Sequence, residues 1–288
     1  MITGLIAPLL TPFDDRLGFD QEKFNSLAKR LLGNGCEGLA PFGTTGEALS
    51  VSLNERKAAL EGLVKAGIDP AMTIPGTGLC NLPETVDLCR HAIGLGCAGV
   101  MTLPPFYFKG VSDSGLFDYF TRLIDLVNDN RLKIYLYHIP QVSGVSLSIP
   151  IVTKLHQAFP EIIVGIKDSS GDWDNTKALL SIDGMIVYPG SELPVIEAIR
   201  LGAPGCISAT ANLNSTDIAE VIELCHAKNW AAAEVKHKKV CAVRMLFQDY
   251  APIPAQKALL AKQLGQPTWN NLRPPMQPMA AEKLTALA

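Results

Sequence analysis

Eight short apolar runs of β-like character recur along this 288-residue chain. They lie at 6–11, 38–42, 72–76, 99–103, 133–137, 162–167, 185–189 and 205–209. They return every ~25–35 residues with helix-like segments between them, the spacing that a closed parallel (β/α)8 barrel requires. Two domains would also fit the length, but one such barrel fills it as a single unit. The expected fold is therefore α/β, a (β/α)8 TIM barrel, with residues 1–215 as the barrel core.

Helix signals fall between the runs. Residues 21–32 form one segment, stopped by Gly33-Asn34-Gly35. Ser52 with Glu55 reads as a capping box. Asn81 with Pro83 and Ser148 with Pro150 open two more helices. After the eighth run, Ile218, Val221, Ile222 and Cys225 follow i, i+3, i+4, i+7 spacing. Residues 216–288 are then the last barrel helix plus a C-terminal helical extension within the same structural unit. Helices are expected at 230–247 and 255–264, with Pro252 and Pro254 interrupting between them. The tail with Pro267, Pro274, Pro275 and Pro278 is expected to lie extended on the surface.

Composition excludes several function classes. With 48% hydrophobic and 18% charged residues there is material for a large core, and a net charge of -3 gives no electrostatic case for nucleic acid or an anionic membrane. No stretch approaches the ~18 uninterrupted apolar residues of a membrane span. The apolar start lacks a basic lead and runs into Asp14 and Asp15, which argues against a signal peptide. Seven cysteines without a CxxC pair read as buried, reduced thiols of a cytoplasmic protein. Five histidines without HxH or HxxxH spacing give no structural metal site.

In a parallel barrel the C-terminal strand ends gather on one rim, where active sites are built. Several runs here end in small or polar residues: Gly43-Thr44-Thr45-Gly46-Glu47, Asp168-Ser169-Ser170-Gly171, Gly190-Ser191-Glu192 and Thr210-Ala211-Asn212. The sixth run ends in Lys167. Burial disfavours a charged ammonium. A lysine there is either a neutral-amine nucleophile for carbonyl substrates or half of a buried ion pair with a carboxylate such as Asp168.

Two glycines let the loop at 43–47 turn tightly, freeing amides and two hydroxyls for a small carboxylate or phosphate. An ordinary βα turn with Glu47 capping a helix is the plainer alternative. Strand alternation puts Tyr135 and Tyr137 on one face, Leu136 and His138 on the other. A rim tyrosine can move a proton; packing is the default for it, for His138 and for Phe106-Tyr107-Phe108.

Together, Gly43-Thr44-Thr45-Gly46-Glu47, the Tyr-x-x-Pro at 137–140 and Gly165-Ile166-Lys167-Asp168-Ser169-Ser170 resemble the dihydrodipicolinate synthase / N-acetylneuraminate lyase family of pyruvate-dependent class I aldolases. The likeness spans nearly the whole chain. It implies that Lys167 forms a Schiff base with pyruvate or a 2-keto acid, and that Thr44 and Thr45 hold the carboxylate. Tyr137 would move the proton on the aldehyde or hydroxyl oxygen, and Tyr107 would complete a proton relay, in some members across a dimer interface. With Gly46, Ser169, Gly190, Ser191, Glu192 and Ile207 these define the expected substrate site. The iminium is itself the electron sink, so no cofactor or metal is expected. A homotetramer built as a dimer of dimers is implied.

In the synthase branch an arginine five residues after the tyrosine binds the carboxylate of aspartate semialdehyde; here that position is Val142. Ser143-Gly144 resembles the sialate lyase and sugar-acid aldolase branches. The leading expectation is thus cleavage or formation of a 2-keto-3-deoxy sugar acid. The alternatives are the synthase reaction, a dehydratase or deaminase using the same iminium, and, last, a keto-acid binder without turnover.

Overall fold

The computed structural model describes residues 1–280 together with 282 and 283. Seven strands alternate with helices among these residues: β1 (Gly4–Ala7), β2 (Cys36–Leu39), β3 (Val100–Thr102), β4 (Ile134–His138), β5 (Ile163–Asp168), β6 (Ile186–Pro189) and β7 (Gly205–Ile207). The helices are α1 (Gln21–Gly33), α2 (Leu53–Lys65), α3 (Leu82–Leu95), α4 (Asp113–Val127), α5 (Pro140–Ser143), α6 (Ile149–Ala158), α7 (Trp173–Leu180), α8 (Val195–Arg200), α9 (Ala211–His226), α10 (Trp230–Met245) and α11 (Pro252–Leu264). No helix among the described residues is long and apolar enough to cross a membrane.

All ladders are parallel, in the orders β2-β1-β7 and β3-β4-β5-β6. The run expected at 72–76 joins the two groups without becoming a regular strand. Thr73 bridges to Leu39 and Gly76 to Met101. The Ile74 amide donates to Leu39 O (2.8 Å), and the Met101 amide to Pro75 O (2.9 Å). Its entry is spent on a 3-10 turn at Pro70–Met72, and Pro75 has no N–H to donate, so the ladder is broken here. The segment still fills the missing barrel position. β6 and β7 close the circuit side by side.

Residues alternate between two cores with period two. Ile6, Ala40, Ile74, Met101, Tyr135, Tyr137, Tyr188 and Ile207 point into the barrel. Their neighbours Leu5, Leu39, Val100, Leu136, Ile166, Val187 and Cys206 point out against the helices. Gly165 makes room for this interior: a Cβ there would stand 2.8 Å from the Tyr135 ring and 2.6 Å from Ile186 O. Each large side chain buried this way is worth about 1.5–3 kcal/mol.

The capping box at Ser52 and Glu55 opens α2, and the side chains of Asn81 and Ser148 cap α3 and α6, as read from the sequence. The extension differs in two places. Pro252 and Pro254 begin α11 rather than interrupt it, because the first helical turn has no intrahelical use for the missing N–H groups. The tail is not all surface. Trp269 and Leu272 are buried, and Arg273 is held by Leu17 O, Ser50 O and Glu55; Pro274 and Pro275 are exposed.

Candidate active site

Lys167 and Gly165 share the inner face of β5, because residues two apart on a strand point the same way. Lys167 is 4% exposed, and its Nζ donates to the Tyr137 hydroxyl at 3.4 Å while lying 4.5 Å from that ring's centroid. The Tyr137 hydroxyl in turn lies 3.2 Å from Thr44 Oγ1. The ends of β4 and β5 and the loop after β2 thus meet in one hydrogen-bonded line, Thr44–Tyr137–Lys167.

Asp168 faces the other way. Its carboxylate accepts from the Ser170 amide (3.0 Å), Asn175 Nδ2 (3.0 Å) and Thr176 Oγ1 (2.6 Å), which ties the end of β5 to α7. Among the described residues Lys167 has no carboxylate partner. The ion pair between Lys167 and Asp168 is therefore not formed, and the nucleophile alternative is the one that the geometry permits.

The loop after β2 is held in an unusual conformation. Phe42 (φ 60°) and Glu47 (φ 51°) both adopt left-handed backbone, costly for residues with a Cβ. The Gly46 amide donates to Gly43 O (3.1 Å) and the Glu47 amide to Thr44 O (3.1 Å). Gly46 is thus committed to the turn itself; a Cβ there would stand 2.7 Å from Leu9 O. The amides of Thr44 and Thr45 have no acceptor among the described residues. Two free amides lie here beside two half-buried hydroxyls, donors of the kind that suit a small anion.

Glu47 caps no helix with its side chain. It is fully buried and paired with the equally buried Lys257 of α11, which also donates to Asn271 O (2.6 Å). Burial raises the Glu47 carboxyl, against the Lys257 charge, and burial lowers the Lys257 ammonium, against Glu47. Sequence reading missed Lys257 altogether; a lysine between Gln256 and Ala258 carries no mark of a partner 210 positions away.

The other expected residues divide. Ser169 and Gly190 touch: a Cβ on Gly190 would stand 2.0 Å from Ser169 Oγ. Ser191 Oγ accepts from the Leu193 amide (3.2 Å). These three line a cavity of about 490 Å³ on the β6 side of Lys167, with Gln141 and Arg244. Glu192 is fully buried away from that cavity; one carboxylate oxygen accepts from Ser208 and the other has no partner among the described residues. Ile207 is interior packing. Tyr107 is 75% exposed, edge-on to Phe108, and within this chain does not reach the site. His138 Nδ1 accepts from the Leu147 amide (3.1 Å), and burial lowers its pKa, so it is a structural, neutral ring. A smaller apolar cavity of about 180 Å³ opens beside Thr44 and Tyr137, lined by Phe42, Met101, Leu103, Phe106 and Ile139.

The family described as "Dihydrodipicolinate synthetase family" matches residues 1–288 of this chain. The 4-hydroxy-tetrahydrodipicolinate synthase of Thermus thermophilus is 35% identical over 98% of this chain and 93% of its own length. The crystal structure of dihydrodipicolinate synthase from Agrobacterium tumefaciens superposes with a TM-score of 0.90 at 31% identity, covering 99% of this chain and 96% of that one. The 2-keto 3-deoxygluconate aldolase from Picrophilus torridus superposes with a TM-score of 0.88 at 25% identity, covering 97% and 99%.

Proposed function

The chain belongs to the dihydrodipicolinate synthetase family, and on that premise we propose that it is a pyruvate-dependent class I aldolase cleaving or forming a 2-keto-3-deoxy sugar acid. The observation that carries this reading is the Thr44–Tyr137–Lys167 line, with Lys167 free of any carboxylate among the described residues.

Lys167 Nζ attacks the keto carbon of the 2-keto acid, and loss of water leaves an iminium. The substrate carboxylate sits on the amides and hydroxyls of Thr44 and Thr45. Tyr137 takes the proton from the C4 hydroxyl, its own phenol proton passing to Thr44 Oγ1 and on along the relay, as the C3–C4 bond breaks, and the electrons of that bond flow into the iminium to give an enamine. The aldehyde leaves, C3 is protonated, and hydrolysis returns pyruvate and the free lysine. Positioned proton transfer of this kind contributes about 10²–10⁴-fold. Ser169, Gly190 and Ser191 face the remainder of the substrate. Val142, 61% exposed at the rim, offers no guanidinium to a semialdehyde carboxylate. Condensation of pyruvate with aspartate semialdehyde, the second reading, is favoured by the synthase names of the relatives.

Leu49, Tyr107, Phe108 and Val142 are all exposed apolar side chains of the segments that follow the strands. We place them in the contact between two copies, which then pair into a tetramer, with Tyr107 entering the partner's proton relay. A cytoplasmic location goes with seven free thiols.

Intact-mass spectrometry after borohydride reduction with pyruvate tests the mechanism. A pyruvyl adduct is expected on the wild type and not on Lys167→Ala. No adduct on folded wild type overturns the Schiff base. Product analysis with 2-keto-3-deoxy acids then separates aldol cleavage from loss of water.

A further inference from the structure

The larger cavity holds a charge that the mechanism above leaves unused. Arg244 lies in the last turn of α10, half-buried, and lines the cavity with Gln141, Ser169, Ser191 and Gln248. Among the described residues its side chain makes one hydrogen bond, a long one of 3.5 Å from Nη1 to Thr210 Oγ1 just beyond β7. Among the described residues its buried Nε has no hydrogen-bond partner, and its guanidinium has no carboxylate within salt-bridge distance.

Two carboxylates do line the same cavity, and both are committed elsewhere. Asp168 is bonded to Ser170, Asn175 and Thr176, and Asp172 accepts from the Asp174 and Asn175 amides as the cap of α7. A half-buried guanidinium with free donors carries a desolvation cost that an anionic oxygen group would offset. Its planar fork suits a carboxylate or a phosphate.

Position decides which anion this is. The amides of Thr44 and Thr45 lie after β2, Lys167 ends β5, and Arg244 reaches between the ends of β6 and β7. Both anion-binding groups therefore lie on the barrel rim that carries the reacting lysine. We propose that Arg244 is the distal anion subsite, so that the preferred substrate is a 2-keto acid with a second anionic group, carboxylate or phosphate, at the end remote from the keto carbon. The inference rests on the aldolase reading and specifies its substrate class. The cation that position 142 lacks is supplied instead from α10.

The test runs the reaction in the condensing direction with pyruvate and three aldehydes: glyceraldehyde, glyceraldehyde 3-phosphate and succinic semialdehyde. One charged aldehyde is expected to exceed glyceraldehyde in kcat/KM by ~10-fold or more, and which one distinguishes phosphate from carboxylate. Arg244→Met should bring that ratio close to one. Arg244→Gln, which keeps reach and loses charge, should do the same, and it carries the test if the methionine variant does not fold. A wild type that prefers the neutral aldehyde, or a folded variant that keeps the charged preference, overturns the subsite. Absence of the borohydride-trapped pyruvyl adduct on wild type overturns the aldolase reading, and the subsite with it. A wild type with the adduct but no charge preference overturns the subsite alone.

Discussion

Glu47, in the loop after β2, and Lys257, in α11, form an ion pair in which both side chains are fully buried. The pair ties the C-terminal extension to the strained turn that presents Thr44 and Thr45. Phe42 holds the other end of that turn by stacking on Phe24, with ring centroids 5.8 Å apart. The left-handed backbone at both ends is thus maintained by packing on one side and by charge on the other.

Lys257→Met should leave the Glu47 carboxylate buried without its partner. Breaking a buried pair in this way costs about 3–5 kcal/mol, measurable as a lower urea midpoint. The loop loses its anchor too, so KM for pyruvate should rise by more than kcat falls. The double variant Glu47→Gln with Lys257→Met should recover part of the stability, because no lone charge remains. A single variant as stable as wild type would show that the pair contributes nothing.

A second clamp titrates. Arg273 is hydrogen-bonded to Glu55 at 2.5 and 2.9 Å, and that contact, with the Ser52 cap, holds the Glu55 carboxyl down at about 2. A carboxyl with a depressed folded-state pKa adds stability above its unfolded value of 4.5 and loses it as pH falls toward about 2. Glu55→Gln should therefore melt below wild type at pH 7, and the gap should close between about pH 4.5 and 2. The pair is partly exposed, so the gap should be a few degrees at most. A gap independent of pH would mean that Glu55 acts only through the uncharged capping bond.

What the sequence made legible was local or periodic. Strand spacing gave the barrel, alternation put Tyr135 and Tyr137 on one face, and Ser52, Asn81 and Ser148 marked helix starts because a cap needs only its own next few residues. What it hid depends on distant parts of the chain. Nothing near Glu47 indicates Lys257, and nothing near Arg273 indicates Leu17, Ser50 and Glu55. The run expected as a strand at 72–76 fills its barrel position, but Pro75 prevents a regular ladder. Tyr107 looked like a site residue by likeness to the family, while the chain alone leaves it in solvent.

The Tyr137 hydroxyl is the junction of the site, since it accepts from Lys167 and meets Thr44. Tyr137→Phe removes that oxygen and keeps the ring that lies against the ammonium. Lys167 stays in place, so the pyruvyl adduct should still form and be trapped by borohydride. Carbon–carbon cleavage needs the proton acceptor, so kcat should fall by about 10²–10⁴-fold. Thr44→Val should act differently: it removes a donor to the carboxylate and one neighbour of the tyrosine, raising KM for pyruvate with a smaller loss in kcat. Steady-state kinetics on both variants, set beside adduct formation, separates the two roles. If Tyr137→Phe lost the adduct as completely as Lys167→Ala, the hydroxyl would belong to imine formation and not to the cleavage step.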